Sequence, residues 1–398
     1  MSFHQLFMPN RIMYGPGSFD EVGKLTGSFG KKAMIISDPI MDRIGNVQLC
    51  EKYLGEQGIP YAKYTGIDSE PTDIHVREAL EICRREACDV IVAVGGGSCL
   101  DTAKAVAVLM TNGGHIRDYV GIQEPYKEKP LPLIAVPTTA GTGSEVTKVT
   151  VIIDTENDVK LMISHPAFLP AAAIVDPVLT LSCPPSVTAA TGVDALCHAV
   201  EAFISRRAQP VTDTWALQAI ELIMNNLRLA YQQKDHMEAR SEMALASMLA
   251  GAAFSNSSVT LVHGMSRPIG AMFHVPHGVS NAMLLPAVLE FTKESALERL
   301  AIVARLVKPE MKTVSDEEAV DELVLEIKAL CRDLKIPNMK TWGIDKEKLE
   351  PLLPKMAADA LASGSPGNNP RVPTHGEIME LYRVCYDYDF EMTQSAQN

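Results

Sequence analysis

The chain has 398 residues, more than one ordinary hydrophobic core accommodates, so two domains are expected. Hydrophobic residues make up 46% and charged residues 21%, the balance of a soluble globular protein, and no uncharged apolar run is long enough to suggest a bilayer span. A formal net charge of −13 argues against a general nucleic-acid binder, which needs basic patches to neutralise phosphates. The opening MSFHQLFMPN has neither a basic region nor a long apolar run, so no secretory leader is expected. Eight cysteines without a C-x-x-C pair read as reduced thiols of a cytoplasmic protein.

The first half alternates short apolar runs with helical patterns. Ala33–Ile36 is a buried-strand candidate followed by a turn and a helix. Asp89–Val94 is a second, ending in Gly95-Gly96-Gly97-Ser98, and Leu131–Val136 is a third, ending in the Pro137–Ser144 loop. Val149–Ile153 and Ala172–Val175 are further strand candidates. Continuous apolar strands separated by helices predict a mainly parallel sheet covered on both faces. From about Ser186 the apolar residues recur at three and four, as in Ala216, Ile220, Ile223 and Leu227, which predicts helices. The expected organisation is an α/β domain over residues 1–184 and an all-α domain over 185–398, with the boundary at Pro184-Pro185. Ser363 to Pro373, rich in Gly, Pro and Asn, is expected to be a loop at the surface or at the edge of a cleft.

Two loops in the first half suit a dinucleotide. Gly95, Gly96, Gly97 and Ser98, at the end of a buried strand, let backbone amides approach a pyrophosphate with no Cβ in the way. Asp101 and Lys104 follow on the next helix. Thr138, Thr139 and Thr142 offer hydroxyls to phosphate or ribose; a Ser/Thr-rich turn is the plain alternative. Asp38, closing the strand Ala33–Ile36, is placed to accept from an adenosine ribose and would repel a 2′-phosphate, favouring NAD over NADP. A helix N-cap explains that aspartate equally well. G-x-G-x-x-G is absent, so the nucleotide is not read by the common Rossmann fingerprint.

In the second half, Thr188 to Ser205 reads as a helix on which Asp194 and His198, four residues apart, share one face. Taken alone, such a pair is more often structural. The segment His263 to Gly278 then supplies three of the ten histidines, His263, His274 and His277, each beside glycine or proline that lets the backbone bend. Imidazoles with one carboxylate suit zinc or iron(II), and with no cysteine in the set the ion is expected to be catalytic.

These residues resemble the iron-containing, or group III, alcohol dehydrogenases along the whole chain. The motifs are Phe7-Met8-Pro9 through Gly15, Gly17 and Ser18; Gly95 to Lys104; Pro137 to Thr147; Gly192 to Ala202; Ala250 to Asn256; His263 to Gly278; and Asn369-Pro370-Arg371. The resemblance implies the dehydroquinate synthase-like architecture, with an N-terminal dinucleotide-binding domain and a helical C-terminal domain. It implies that Asp194, His198, His263 and His277 ligate the metal and that Lys160, with the two loops and Asp38, binds NAD(P). It places Phe254 in the substrate pocket and implies a homo-oligomer, a dimer or larger, that acts on a small alcohol or aldehyde without nucleic-acid or membrane partners.

One departure bears on chemistry. Many relatives carry H-x-x-x-H in the segment where this chain has His263 and Arg267. A permanently charged guanidinium is a poor proton carrier but binds carboxylate, sulfonate or phosphonate through paired hydrogen bonds. His274 is then the candidate proton relay, or else a group that orients His277. An ion with Asp194 as its only charged ligand sums to +1 and would polarise a carbonyl while hydride passes to or from nicotinamide. A sugar-phosphate cyclase and a non-catalytic nucleotide-binding protein are the competing readings.

Overall fold

The computed structural model describes residues 3–121, 126–157 and 159–391. The chain divides into two compact units, Met1–Cys183 and Pro184–Asn398. In the first, the strands are β1 (Arg11–Tyr14), β2 (Ala33–Ile36), β3 (Tyr61–Tyr64), β4 (Val90–Gly95), β5 (Leu133–Pro137), β6 (Val149–Asp154), β7 (Val159–Ser164) and β8 (Ala172–Val175). Six form a sheet in the order β1-β8-β5-β4-β2-β3, every pairing parallel.

Side chains of β2, β4 and β5 alternate between two separate cores. Met34, Ile36, Ile91, Ala93, Leu133 and Ala135 enter one. Ala33, Ile35, Val90, Val92, Val94, Ile134 and Val136 enter the other. Both faces of the sheet are therefore covered, which is why these strands are apolar at every position instead of every second one.

The chain leaves β2 toward β3 on one side and leaves β4 toward β5 on the other. The carboxyl ends of β2 and β4 thus flank a topological switch point, where open α/β sheets bind ligands. Asp38 follows β2 and the triple glycine ends β4.

Four strands differ from the sequence expectation. β6 lies outside the large sheet and pairs antiparallel with β7, from Val149 opposite Ser164 to Asp154 opposite Val159. β7 and the edge strands β1 and β3 are partly exposed, so their burial patterns lack the continuous apolar run by which the central strands declare themselves.

The second unit is helical, with no strand among its described residues. Its central helix runs Pro185–Ile204, starting three residues before the expected Thr188 because Pro185 sits in the first turn, where a missing N–H costs nothing. This helix is long and apolar enough to cross a bilayer, but 89% of that stretch is buried inside the protein. Gly192 explains its close approach to the Pro210–Gln232 helix: a Cβ there would fall 2.2 Å from Leu227 Cδ1. All eight cysteines are free.

Candidate metal centre and nucleotide loops

Four side chains of the helical unit converge. One ligand atom from each of Asp194, His198, His263 and His277 lies within 4.8 Å of the others, and the first three residues are buried. Asp194 and His198 share a face of the Pro185–Ile204 helix. The segment expected to bend as a loop is instead two helices, Leu261–Phe273 and His277–Thr292, joined through His274 to Pro276. His263 stands in the first turn of one and His277 begins the other, directly after Pro276. Pro276 is the N-cap of the second helix, where a missing N–H costs nothing, whereas Pro268 lies inside the first helix, which continues past it to Phe273.

A close approach fixes the second of these helices. A Cβ on Gly278 would lie 2.8 Å from the backbone oxygen of Ala190, so only glycine lets the His277 turn seat against the Pro185–Ile204 helix. The rings are held by stacking. His198 lies between Phe254, with ring centroids 4.3 Å apart and planes 16° apart, and His263, at 4.4 Å and 28°.

The donor set fits a divalent cation. Asn281 Nδ2 donates to Asp194 Oδ1 at 2.6 Å and stands 3.0 Å from His263 Nε2 and 3.1 Å from His277 Nε2. Three atoms able to ligate a metal therefore meet at one position, while the buried Asn281 Oδ1 has no hydrogen-bond partner. Burial alone would raise the Asp194 carboxyl, but His198, His277 and His263 hold it far below the usual range. Burial alone would lower His263, but the Glu201 and Asp194 carboxylates hold it up at about 9.

Glu201 is the residue that sequence reasoning missed. It is 1% exposed, and its Oε2 pairs with His263 Nδ1. The signal was present: 194, 198 and 201 are spaced i, i+4, i+7 on one helical face. Glu201 adds a second buried carboxylate behind the four-residue group, whose own sum with a dication stays at +1.

Arg267, one turn after His263, donates from Nη1 to Ser365 Oγ at 3.0 Å. Burial lowers its guanidinium to about 10 against the pull of Glu201, so it stays charged at neutral pH. Ser365 and Asn369 are buried, so the 363–373 segment is partly interior. His274 is exposed, caps its helix in the left-handed conformation at φ 54, and lies outside the four-residue group.

In the first unit, β4 runs through Gly95 to the Gly97–Asn112 helix, whose N-cap is Gly96 with no side-chain cap. The helix N-terminus thus presents unpaired amides and a positive dipole end at the sheet's carboxyl edge. A Cβ at Gly95 would lie 2.5 Å from Cys99 Sγ, and one at Gly97 would lie 2.8 Å from Thr142 Cγ2. The glycine and threonine loops are therefore neighbours, with Thr139 3.8 Å from the position of a Gly96 Cβ.

Asp38 is an N-cap: Oδ1 accepts from the amides of Ile40 and Met41 at 2.8 and 2.9 Å. Its Oδ2 faces the glycine loop, 3.5 Å from Cys99 Sγ. Thr138 is buried, with its amide bonded to Gly95 O.

Asp101 looks inward, accepting from Ser144 Oγ at 2.6 Å and Val151 N at 2.9 Å. Lys104 is fully buried and donates to Ser144 Oγ, Thr147 Oγ1 and Val149 O; burial lowers it to about 8. Both tie the glycine-loop helix to the threonine loop and β6. Lys160 pairs with Glu70 at 2.6 Å.

A doubly wound parallel sheet with a glycine loop at its switch point, followed by a helical unit carrying an Asp–His₃ group, places the chain in the class with dehydroquinate synthase-like architecture, and the family comparison decides for the metal-dependent oxidoreductases within it. Residues 9–177 match the iron-containing alcohol dehydrogenase family, and residues 188–386 match the C-terminal family of the Fe-containing alcohol dehydrogenases. The chain belongs to the iron-containing alcohol dehydrogenases.

Among its relatives, the 1,3-propanediol dehydrogenase of Klebsiella pneumoniae is 40% identical over 385 residues, which span 95% of this chain and 98% of that protein. The NAD-dependent methanol dehydrogenase of Bacillus methanolicus is 36% identical over 380 residues, 95% of this chain and 98% of that protein. A crystal structure of 1,3-propanediol oxidoreductase superimposes with a TM-score of 0.93 at 39% identity, covering 97% of this chain and all of that one.

Proposed function

We propose that this alcohol dehydrogenase interconverts a small primary alcohol and its aldehyde as a cytoplasmic homodimer or larger assembly, with NAD preferred over NADP and Fe²⁺, or Zn²⁺, held by Asp194, His198, His263 and His277. The observation that carries the reading is the convergence of those four ligand atoms within 4.8 Å, on helices that bury three of the four residues. When bound, the cation supplies Lewis-acid polarisation of the substrate oxygen and the nicotinamide supplies the hydride acceptor or donor.

The chain's own groups do the rest. The Gly95–Ser98 amides and helix dipole bind the pyrophosphate, Thr139 and Thr142 border it, and Asp38 Oδ2 accepts from a ribose hydroxyl and repels a 2′-phosphate. Lys160 and Asp101 complete the nucleotide site, Asp101 by fixing the loops from behind. Phe254 shields one face of His198 and presents apolar surface to the substrate carbon. His274, exposed at its helix end, carries the alcohol proton to solvent.

A second reading of the substrate rests on Arg267. Its guanidinium, one turn from His263, stays charged at neutral pH and has the paired donors that suit the anionic end of a 4-hydroxybutyrate, sulfonate or phosphonate aldehyde. The test is a panel of neutral and anionic aldehydes assayed with NADH and NADPH after loading with iron or zinc. Turnover with NADH that disappears on chelation and returns with the ion is expected. Undiminished turnover in the chelated enzyme contradicts the proposal.

A further inference from the structure

We infer that Glu201 is the positioning residue of the metal centre: it fixes the tautomer and pitch of His263 and supplies the second buried negative charge that matches the site to a divalent ion. This rests on the reading that Asp194, His198, His263 and His277 hold a cation. Glu201 projects from the Pro185–Ile204 helix on the same face as Asp194 and His198. Its two oxygens have different tasks.

Oε1 accepts from Thr260 Oγ1 at 2.8 Å, from Val262 N at 2.7 Å and, longer, from His263 N at 3.4 Å. Those amides open the Leu261–Phe273 helix, whose own N-cap, Thr260, makes no side-chain cap. First-turn amides have no partner inside their helix, and the positive end of the dipole favours an anion there. A carboxylate from one helix therefore caps the next and sets the depth at which His263 stands.

Oε2 meets the Nδ1 of His263. A carboxylate without a proton can only accept, so Nδ1 keeps its hydrogen and Nε2 is the nitrogen whose lone pair would go to a cation. Nε2 is the atom that faces the other ligands, 3.5 Å from Asp194 Oδ1. A carboxylate behind a metal-bound imidazole also makes that imidazole a better donor. Asp194 and Glu201 are each 1% exposed, and two buried anions around one site call for compensating positive charge, which a dication would supply.

The experiment strips the full-length protein and Glu201→Gln of metal, confirms by circular dichroism that both are folded, and titrates each with Zn²⁺ against a chromogenic chelator and with Co²⁺ by visible spectroscopy. Gln keeps an acceptor but loses the charge and brings an N–H toward donors that need an acceptor. Zn²⁺ affinity is expected to fall roughly ten- to hundredfold, with a changed Co²⁺ ligand-field spectrum. Equal affinity and an unchanged spectrum overturn the inference while leaving the metal site standing. Failure of the unsubstituted protein to bind either ion removes the metal site and the inference with it. Should the variant not fold, a crystal structure of the unsubstituted Zn²⁺ form decides: Nε2 of His263 on the ion with Nδ1 on Glu201 is expected, and Nδ1 on the ion overturns the assignment.

Discussion

The two units build their sites from different materials. At the switch point of the sheet the loops proposed to bind the nucleotide are built from backbone, with glycines where a Cβ would clash and a helix N-terminus without a side-chain cap. In the helical unit the proposed site is built from side chains, the Asp194–His198–His263–His277 group with Glu201 and Asn281 beside it, each mounted on a helix. Backbone sites are damaged by adding atoms. Side-chain sites are damaged by removing them.

That contrast orders the predictions. Asp194→Ala is expected to abolish metal retention and to lower kcat/KM by about a thousandfold or more, since the lost polarisation is worth several kcal/mol. Metal analysis beside turnover checks it, and a metal-depleted variant with full activity contradicts it.

Under the threonine loop, burial raises Glu145 to about 7 from 4.5. A carboxyl whose folded value is raised contributes stability that is present below its unfolded value and is lost as pH rises through the folded one. The stability difference between the parent protein and Glu145→Gln should therefore shrink by on the order of 3 kcal/mol from acidic pH to about 7. Urea titrations at several pH values measure it, and a difference that is flat with pH is the contrary result.

Gly95→Ala, whose methyl meets Cys99 Sγ, should raise the KM for NAD by about tenfold or more while metal content stays at the parent level. A loss of metal in that variant would break the distinction between the two sites. Arg267→His is expected to shift the preference between anionic and neutral aldehydes by a fewfold to tenfold toward the neutral ones, and an unchanged ratio removes the second reading of the substrate.

Much of this was legible in sequence because burial on both faces writes itself as unbroken apolar runs, as in Ala33–Ile36 and Val90–Val94, and because Asp194 and His198 repeat at a helical interval. The exposed edge strands β1 and β3 have no such run. The histidine segment looked like a loop because proline and glycine were read as breakers, whereas Pro276 starts a helix and Gly278 permits close packing. Glu201 was hidden for another reason. Its partners, Thr260 to His263, are about sixty residues away in sequence, and only the fold brings the carboxylate beneath that helix end. The tie that Asp101 and Lys104 make between the glycine-loop helix and the threonine loop was likewise hidden, because their partners Ser144, Thr147, Val149 and Val151 lie about forty to fifty residues on in sequence.

The most direct test is anomalous diffraction at the iron and zinc edges from crystals of the metal-loaded protein. A single peak bonded to an Asp194 oxygen and to ring nitrogens of His198, His263 and His277, with nitrogen distances of about 2.0–2.1 Å for zinc, is the predicted result. A fully loaded crystal with its peak elsewhere, or with the three rings turned away from it, would contradict the account.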